Sequence, residues 1–213
     1  MPPAVTLDGS FSSTSSTLLA RAQANDPLAW QRLVSLYTPL VYYWCRRVRL
    51  QAADSADVVQ DVFQAVARSL DRFRHESERG SFRGWLRQIT LNKIRDHARS
   101  RSGEPQAEGG SANHQRLQTL LADPDAFDPD APAEPDETRL VLRGALDVFR
   151  GDFEPATWQA FWATTIDNRS PADVAAELSI STNAVYKSKA RVLSRIRTEL
   201  HLLVDLTSLG RRG

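Results

Sequence analysis

Apolar residues in this chain recur at steps of three and four, and no stretch shows strong alternation, so the pattern predicts helices throughout. Asp26-Pro27 reads as an N-cap followed by a proline at the first helical position, with Leu28, Trp30, Leu33, Val34 and Leu36 as the apolar face behind it. Pro39 is predicted to start the next helix, which carries Tyr42, Trp44, Val48 and Leu50. Residues 54–70 form the clearest amphipathic helix of this half. Val59, Val62, Phe63, Val66 and Leu70 share one face, and Asp57, Gln60, Asp61 and Gln64 share the other. A polar loop over 74–81 precedes a helix over 82–99. In that helix Phe82, Trp85, Leu86 and Ile89 point inward, while Arg83, Arg87, Arg95 and Arg99 recur at multiples of four along a separate face.

The pattern then breaks. Residues 102–138 hold a Gly-Gly pair, several prolines and nine acids, and read as a linker with one short helix around 115–121. Helices resume near Thr138. Leu140, Val141, Leu142, Leu146, Val148 and Phe149 form one apolar set, and Trp158, Phe161 and Trp162 form the next, for which core packing is the plain explanation. Residues 1–16, rich in Ser, Thr, Pro and Gly, read as a disordered tail. The predicted organisation is that tail, a helical domain over 17–101, an acidic linker over 102–137, a second helical domain over 138–204 and a short tail over 205–213.

Composition is that of an ordinary globular protein, with 41% hydrophobic and 25% charged residues. The net charge of +1 conceals an asymmetry. Residues 40–101 carry 13 Lys and Arg against 7 acids, residues 102–138 carry 1 against 9, and residues 139–213 carry 11 against 8. Two basic blocks flank an acidic strip. Such blocks suit a phosphate backbone, although two solvated helical surfaces would give the same count. An acidic strip between two basic blocks suggests the expectation that residues 123–137 lie against a basic face in the free protein and reduce unproductive DNA binding.

Residues 170–197 sharpen the charge argument. Ser170-Pro171-Ala172-Asp173 is a helix start, with a capping Ser, a first-position Pro and an acid three residues on. Val174, Ala175 and Leu178 give a short helix an apolar face. Ser179-Ile180-Ser181 makes a tight turn whose Ile can plug the corner, and Ser181 or Thr182 caps a second helix with Val185, Val192 and Ile196 buried. Asn183, Lys187, Arg191 and Arg195 are predicted to share one outward stripe. From Thr182 to Arg197 there are five cations and no acid. Together these features read as a helix-turn-helix whose second helix reaches base edges with small polar groups and phosphates with Lys and Arg. A plain helical hairpin with a solvated basic face is the competing reading.

Other chemistry finds little support. Cys45, the only cysteine, sits in an apolar stretch and reads as a packed core thiol, which excludes an intramolecular disulfide and a Cys-based zinc site. His75, His97, His114 and His201 lack ligand spacing, and no P-loop, GxGxxG, HExxH or CxxC occurs. No enzyme activity, metal or cofactor is expected. No run approaches the ~20 apolar residues of a membrane span and no signal peptide is evident, so a cytoplasmic protein is expected.

Three stretches, in order, resemble the extracytoplasmic-function (ECF) subfamily of sigma-70 family sigma factors. Asp57-Val58-Val59-Gln60-Asp61-Val62-Phe63 is similar to that family's D-x-V-Q-[ED]-x-F helix. Phe82-Arg83-Gly84-Trp85-Leu86, continuing to Asn92 and Asp96, is similar to its F-x-x-W-L-x-x-I-x-x-N-x-x-x-D pattern. Residues 170–197 supply the helix-turn-helix. The resemblance implies a sigma region 2 over 17–101 and a region 4 over 138–204. It implies binding of core RNA polymerase, with Asp57, Gln60, Asp61 and Gln64 on the β′ coiled coil and a second contact to the β flap. It implies reading of the promoter −10 element by the 82–99 helix (Arg83, Arg87, Asn92, Arg95, Arg99). It also implies contact with the −35 element through Ser181, Thr182, Asn183, Lys187, Ser188, Arg191 and Arg195, and control by an anti-sigma factor or by other means. Tyr186, Lys187, Ser188 and Lys189 depart from the family's common pattern, so base preference does not carry over. A stand-alone helix-turn-helix regulator is the alternative, and it leaves the first two motifs unexplained.

Overall fold

The computed structural model describes residues 17–73, 81–101 and 134–200. Among them the secondary structure is helical: α1 (Leu18–Gln23), α2 (Pro27–Arg47), α3 (Ala52–Ser69), α4 (Phe82–Arg101), α5 (Pro135–Phe149), α6 (Pro155–Thr165), α7 (Pro171–Glu177) and α8 (Thr182–Leu200). Short 3₁₀ turns follow α3 (Leu70–Arg72) and α5 (Arg150–Asp152). The helix expected around 115–121, the loop 74–80, most of the linker and both tails lie outside the described residues.

Local signals set most helix starts. The Asp26 carboxylate accepts from the Leu28 and Ala29 amides at 2.9 and 3.1 Å, and Pro27 occupies the first position, where a missing N–H costs nothing. Arg21 donates to the same carboxylate at 2.6 Å and holds its pKa below the ordinary value. Asn25 turns the chain out of α1 in the left-handed region, at φ 62°.

Two sequence expectations fail at prolines. Pro39 does not start a helix; it lies within α2, which runs unbroken for 21 residues. The buried stripe of Leu33, Leu36, Tyr37, Leu40, Val41 and Trp44 passes straight through it, and the burial of that stripe outweighs the lost backbone hydrogen bond. Near Thr138 the helix instead starts at Pro135, with a capping box in which the Glu134 side chain meets the third-position amide and the Glu137 side chain meets the Glu134 amide. Leu28, expected on the apolar face of α2, is 66% exposed.

α2 is the hub. It packs on α1, α3 and α4, and also on α5 from the second half, while α8 packs on α6, α7 and α5. One apolar core runs from Leu18 through Trp44 and Phe82 to Phe149, Phe161 and Leu200, so the two helical halves share it. The approach of α5 to α2 is close: a Cβ on Gly144 would stand 3.0 Å from the Leu36 carbonyl oxygen. Cys45 is fully buried on α2, and burial pushes its thiol up to about 12, as befits an unreactive core residue. No helix among the described residues is long and apolar enough to cross a membrane.

Leu36→Ala removes a fully buried side chain at this crossing and should lower the unfolding free energy by about 2–5 kcal/mol. Urea titration followed by circular dichroism measures the loss. A change below ~1 kcal/mol would contradict the shared core.

Candidate nucleic-acid interface

The helix-turn-helix forms as the sequence predicts. Ser170 Oγ accepts from the Asp173 amide at 3.1 Å and Pro171 opens the seven-residue α7. Ser179 takes the left-handed conformation at φ 54°, which lets the Ile180 amide return to the Ala175 carbonyl at 3.0 Å. Ile180 then packs against a small cluster of Ala160, Val174, Ala175 and Val185. Ser181, rather than Thr182, caps α8, accepting from the Ala184 amide at 3.1 Å. Val185, Val192 and Ile196 are buried beneath α8. Thr182, Asn183, Lys187 and Arg191 are exposed on it, with Ser188 half-buried among them. The first-turn amides and positive dipole end of α8 lie beside its polar first turn, which suits a phosphate.

Arg195 does not complete that stripe. A helix turns about 100° per residue, so each step of four drifts by about 40°, and from Asn183 to Arg195 the drift reaches about 120°. Arg195 is therefore half-buried. It pairs with Glu199 at 2.9 Å and Asp152 at 3.7 Å, with its guanidinium 5.9 Å from the Phe149 ring centre.

The same drift divides the arginines of α4. Arg83 and Arg87, expected on an outward face, are 4% and 6% exposed, whereas Arg95 is half-buried and Arg99 exposed. From Arg83 to Arg99 the accumulated rotation is about 160°, so the four cannot share a face. Arg99 pairs with Asp96 at 2.5 Å. Asn92 is exposed, its side-chain oxygen accepting from Gln88 at 3.3 Å. Ser81, the one described residue of the preceding loop, caps α4 through the Gly84 amide at 3.1 Å.

Arg83 and Arg87 meet Glu137, a residue that the sequence pattern assigns to the linker. Its side chain is 0% exposed. Arg83 Nη1 donates to Glu137 Oε2 at 2.8 Å, and Trp44 Nε1 donates to Oε1 at 2.6 Å. Arg87 Nη1 stands 3.8 Å from Oε1, and its guanidinium lies 6.0 Å from the Trp44 ring centre. Burial pulls the Arg87 pKa down, against the opposing pull of Glu137. At the rim, Glu134 pairs with Arg47 at 2.5 Å. Removing one member of a buried ion pair of this kind costs about 3–5 kcal/mol, because the other is left uncompensated. The Glu134-Pro135-x-Glu137 capping box is the signal that could have found this residue. The surrounding acids and prolines obscure it.

Asp57, Gln60, Asp61 and Gln64 are all exposed on α3, as predicted. In the second half, Trp158, Trp162, Ala163 and Leu178 line a groove between α6 and α7, with Trp162 and Ile166 38% and 48% exposed. Among the described residues, no group of three or more His, Cys, Asp or Glu could hold a metal ion.

Residues 33–104 match the family model described as sigma-70 region 2. The chain is 31% identical over 191 residues to the RNA polymerase sigma factor CnrH of Cupriavidus metallidurans, an alignment spanning 90% of this chain and 94% of that protein. It is 28% identical over 128 residues to the ECF RNA polymerase sigma factor SigE of Mycolicibacterium smegmatis, spanning 60% of this chain and 46% of that one.

Ser170→Ala should destabilise the second half by about 1 kcal/mol, through loss of the α7 cap. Hydrogen exchange at the Asp173 amide should accelerate with it, and an unaltered exchange rate would argue against the cap.

Proposed function

Since the chain belongs to the ECF subfamily of sigma-70 family RNA polymerase sigma factors and directs transcription initiation, we propose that separate helical faces divide that work. The exposed Asp57, Gln60, Asp61 and Gln64 face of α3 binds the β′ coiled coil of core RNA polymerase. An exposed acidic and amide-rich face suits a partner helix with basic residues and repels DNA. The groove between α6 and α7, where the exposed Trp162 stands among the charged Arg150, Asp167, Arg169 and Glu177, offers a mixed apolar and charged seat for the β flap. An anti-sigma factor that covered the α3 face would exclude polymerase.

Promoter reading falls to two helices. α8 enters the major groove of the −35 element. Ser181, Thr182 and Asn183 lie at its N-terminal end toward the bases, and Lys187, Ser188 and Arg191 lie along its flank toward phosphates. Arg195 serves this surface indirectly, by fixing α8 against Asp152 and Phe149. α4 takes the −10 element, with Asn92, Arg95 and Arg99 on its accessible side and Arg83 and Arg87 against Glu137. The region 2 unit then spans 17–101. The region 4 unit reaches from the α5 cap at Glu134 to about residue 204, with the acidic linker between them. Work of this kind takes place in the cytoplasm, where polymerase meets the promoter. It uses binding energy to unstack DNA and makes no covalent change.

One observation carries this reading most directly. α8 exposes Thr182, Asn183, Lys187 and Arg191 on a helix that has no acid from 182 to 197 and is held by a capped turn.

Two substitutions test the division. Lys187→Ala should lower affinity for promoter duplex and reduce the slope of log affinity against log salt by about 0.9, as expected when one phosphate is no longer neutralised, while leaving polymerase binding intact. Asp61→Arg should weaken binding to core polymerase by tenfold or more, roughly the ~1.4 kcal/mol of one charge reversal at a contact, with duplex affinity unchanged. Unaltered transcription from a matched promoter in both variants would overturn these assignments.

A further inference from the structure

The Glu137 environment is a built anion site. Trp44, Arg83 and Arg87 are 1%, 4% and 6% exposed and turn an indole N–H and two guanidinium groups toward one carboxylate. Such groups donate and do not accept, so this set needs an anion with at least two oxygens. All three donors belong to the first half, on α2 and α4. The anion comes from the first turn of α5, across the junction of the halves. Arg47 is engaged by Glu134 at the rim.

A DNA phosphodiester has the same unit charge and the same two free oxygens as a carboxylate. The pocket also includes two arginines of the helix assigned to the −10 element. We propose that the Trp44–Arg83–Arg87 pocket is a binding site for a phosphodiester of the promoter strand, and that Glu137 fills this site in the closed molecule. α5 and DNA then compete for one set of donors. The inference rests on the assignment of α4 to DNA. It adds a particular residue that withholds the arginines, and it accounts for a carboxylate being carried into the core beside a helix assigned to DNA. It also sharpens the idea of an acidic strip shielding a basic face. The shielding residues at this pocket are Glu134 and Glu137, built into a helix.

Two variants open the site by different routes. Glu137→Gln keeps the shape of the side chain and an acceptor for Trp44 but removes the charge. Gly144→Leu leaves every charge in place and drives α5 away from α2, because even a Cβ there would stand 3.0 Å from the Leu36 carbonyl oxygen. Far-UV circular dichroism confirms that each remains helical, and small-angle scattering of the full chain reports whether the halves separate. The binding probe is a short fluorescein-labelled single DNA strand of mixed sequence, followed by anisotropy over a range of salt.

Both variants are expected to bind the strand roughly tenfold more tightly than the natural chain, the gain for a closed form that outweighs the open one ten to one. The slope of log affinity against log salt should steepen by about 0.7 for each further phosphate neutralised. Adding Arg83→Ala and Arg87→Ala to Gly144→Leu should abolish that tighter binding. The proposal is overturned if Gly144→Leu separates the halves without tighter binding, which would leave the pocket to a carboxylate of a protein partner. It is also overturned if the tighter binding survives loss of both arginines. Promoter-directed transcription by the natural chain with core polymerase, run alongside, tests the sigma-factor reading separately. Its success together with a failed strand assay would remove only the Glu137 competition.

Discussion

A carboxylate without water must find its charge and hydrogen bonds inside the protein, and Glu137 is the place where this constraint joins the two halves. Its partners, Trp44, Arg83 and Arg87, lie on α2 and α4, far from it in sequence, and all are buried. Taking such groups out of water costs several kcal/mol per ion before their attraction is counted, so the cluster contributes little net stability. Its effect is on register. An apolar seam can slide by a fraction of an ångström at small cost, whereas a buried charge displaced from its donors loses its whole compensation. The Gly144–Leu36 contact complements this by allowing α5 to approach closely enough for the carboxylate to reach.

A second buried carboxylate does the same at the other end of the junction. Glu199, 1% exposed near the end of α8, accepts from the Leu18 amide at 2.5 Å and forms an ion pair with Arg195 at 2.9 Å. It thereby ties the first described helix to the last. Asp152 adds a paired contact, with Arg32 at 2.6 Å on one side and Arg195 at 3.7 Å on the other. Arg195 is consequently part of the junction more than part of the reading surface. The same arrangement leaves the α3 acidic face and the first turns of α8 open while two arginines of α4 are enclosed. The faces proposed for polymerase and for the −35 element are thus presented in a form of the chain that withholds part of its proposed −10 surface.

Local pattern determined much of this protein. The all-helical class, the Asp26 and Ser170 caps, the division of α3 into buried and exposed faces and the capped turn before α8 follow from residues a few positions apart. Caps, amphipathic stripes and turns are short-range physics, and the motifs that mark the family lie within single helices or one short hairpin. Tertiary structure decided the rest. α2 continues through Pro39 because its buried stripe finds partners on several sides. Arg83 and Arg87 are separated from Arg99 because a four-residue step drifts around a helix, and which side is buried depends on what packs there. By its neighbours in the chain, Glu137 is one acid among nine in a linker. Only the fold brings it to donors some 50 and 90 residues away, and no local pattern contains that distance.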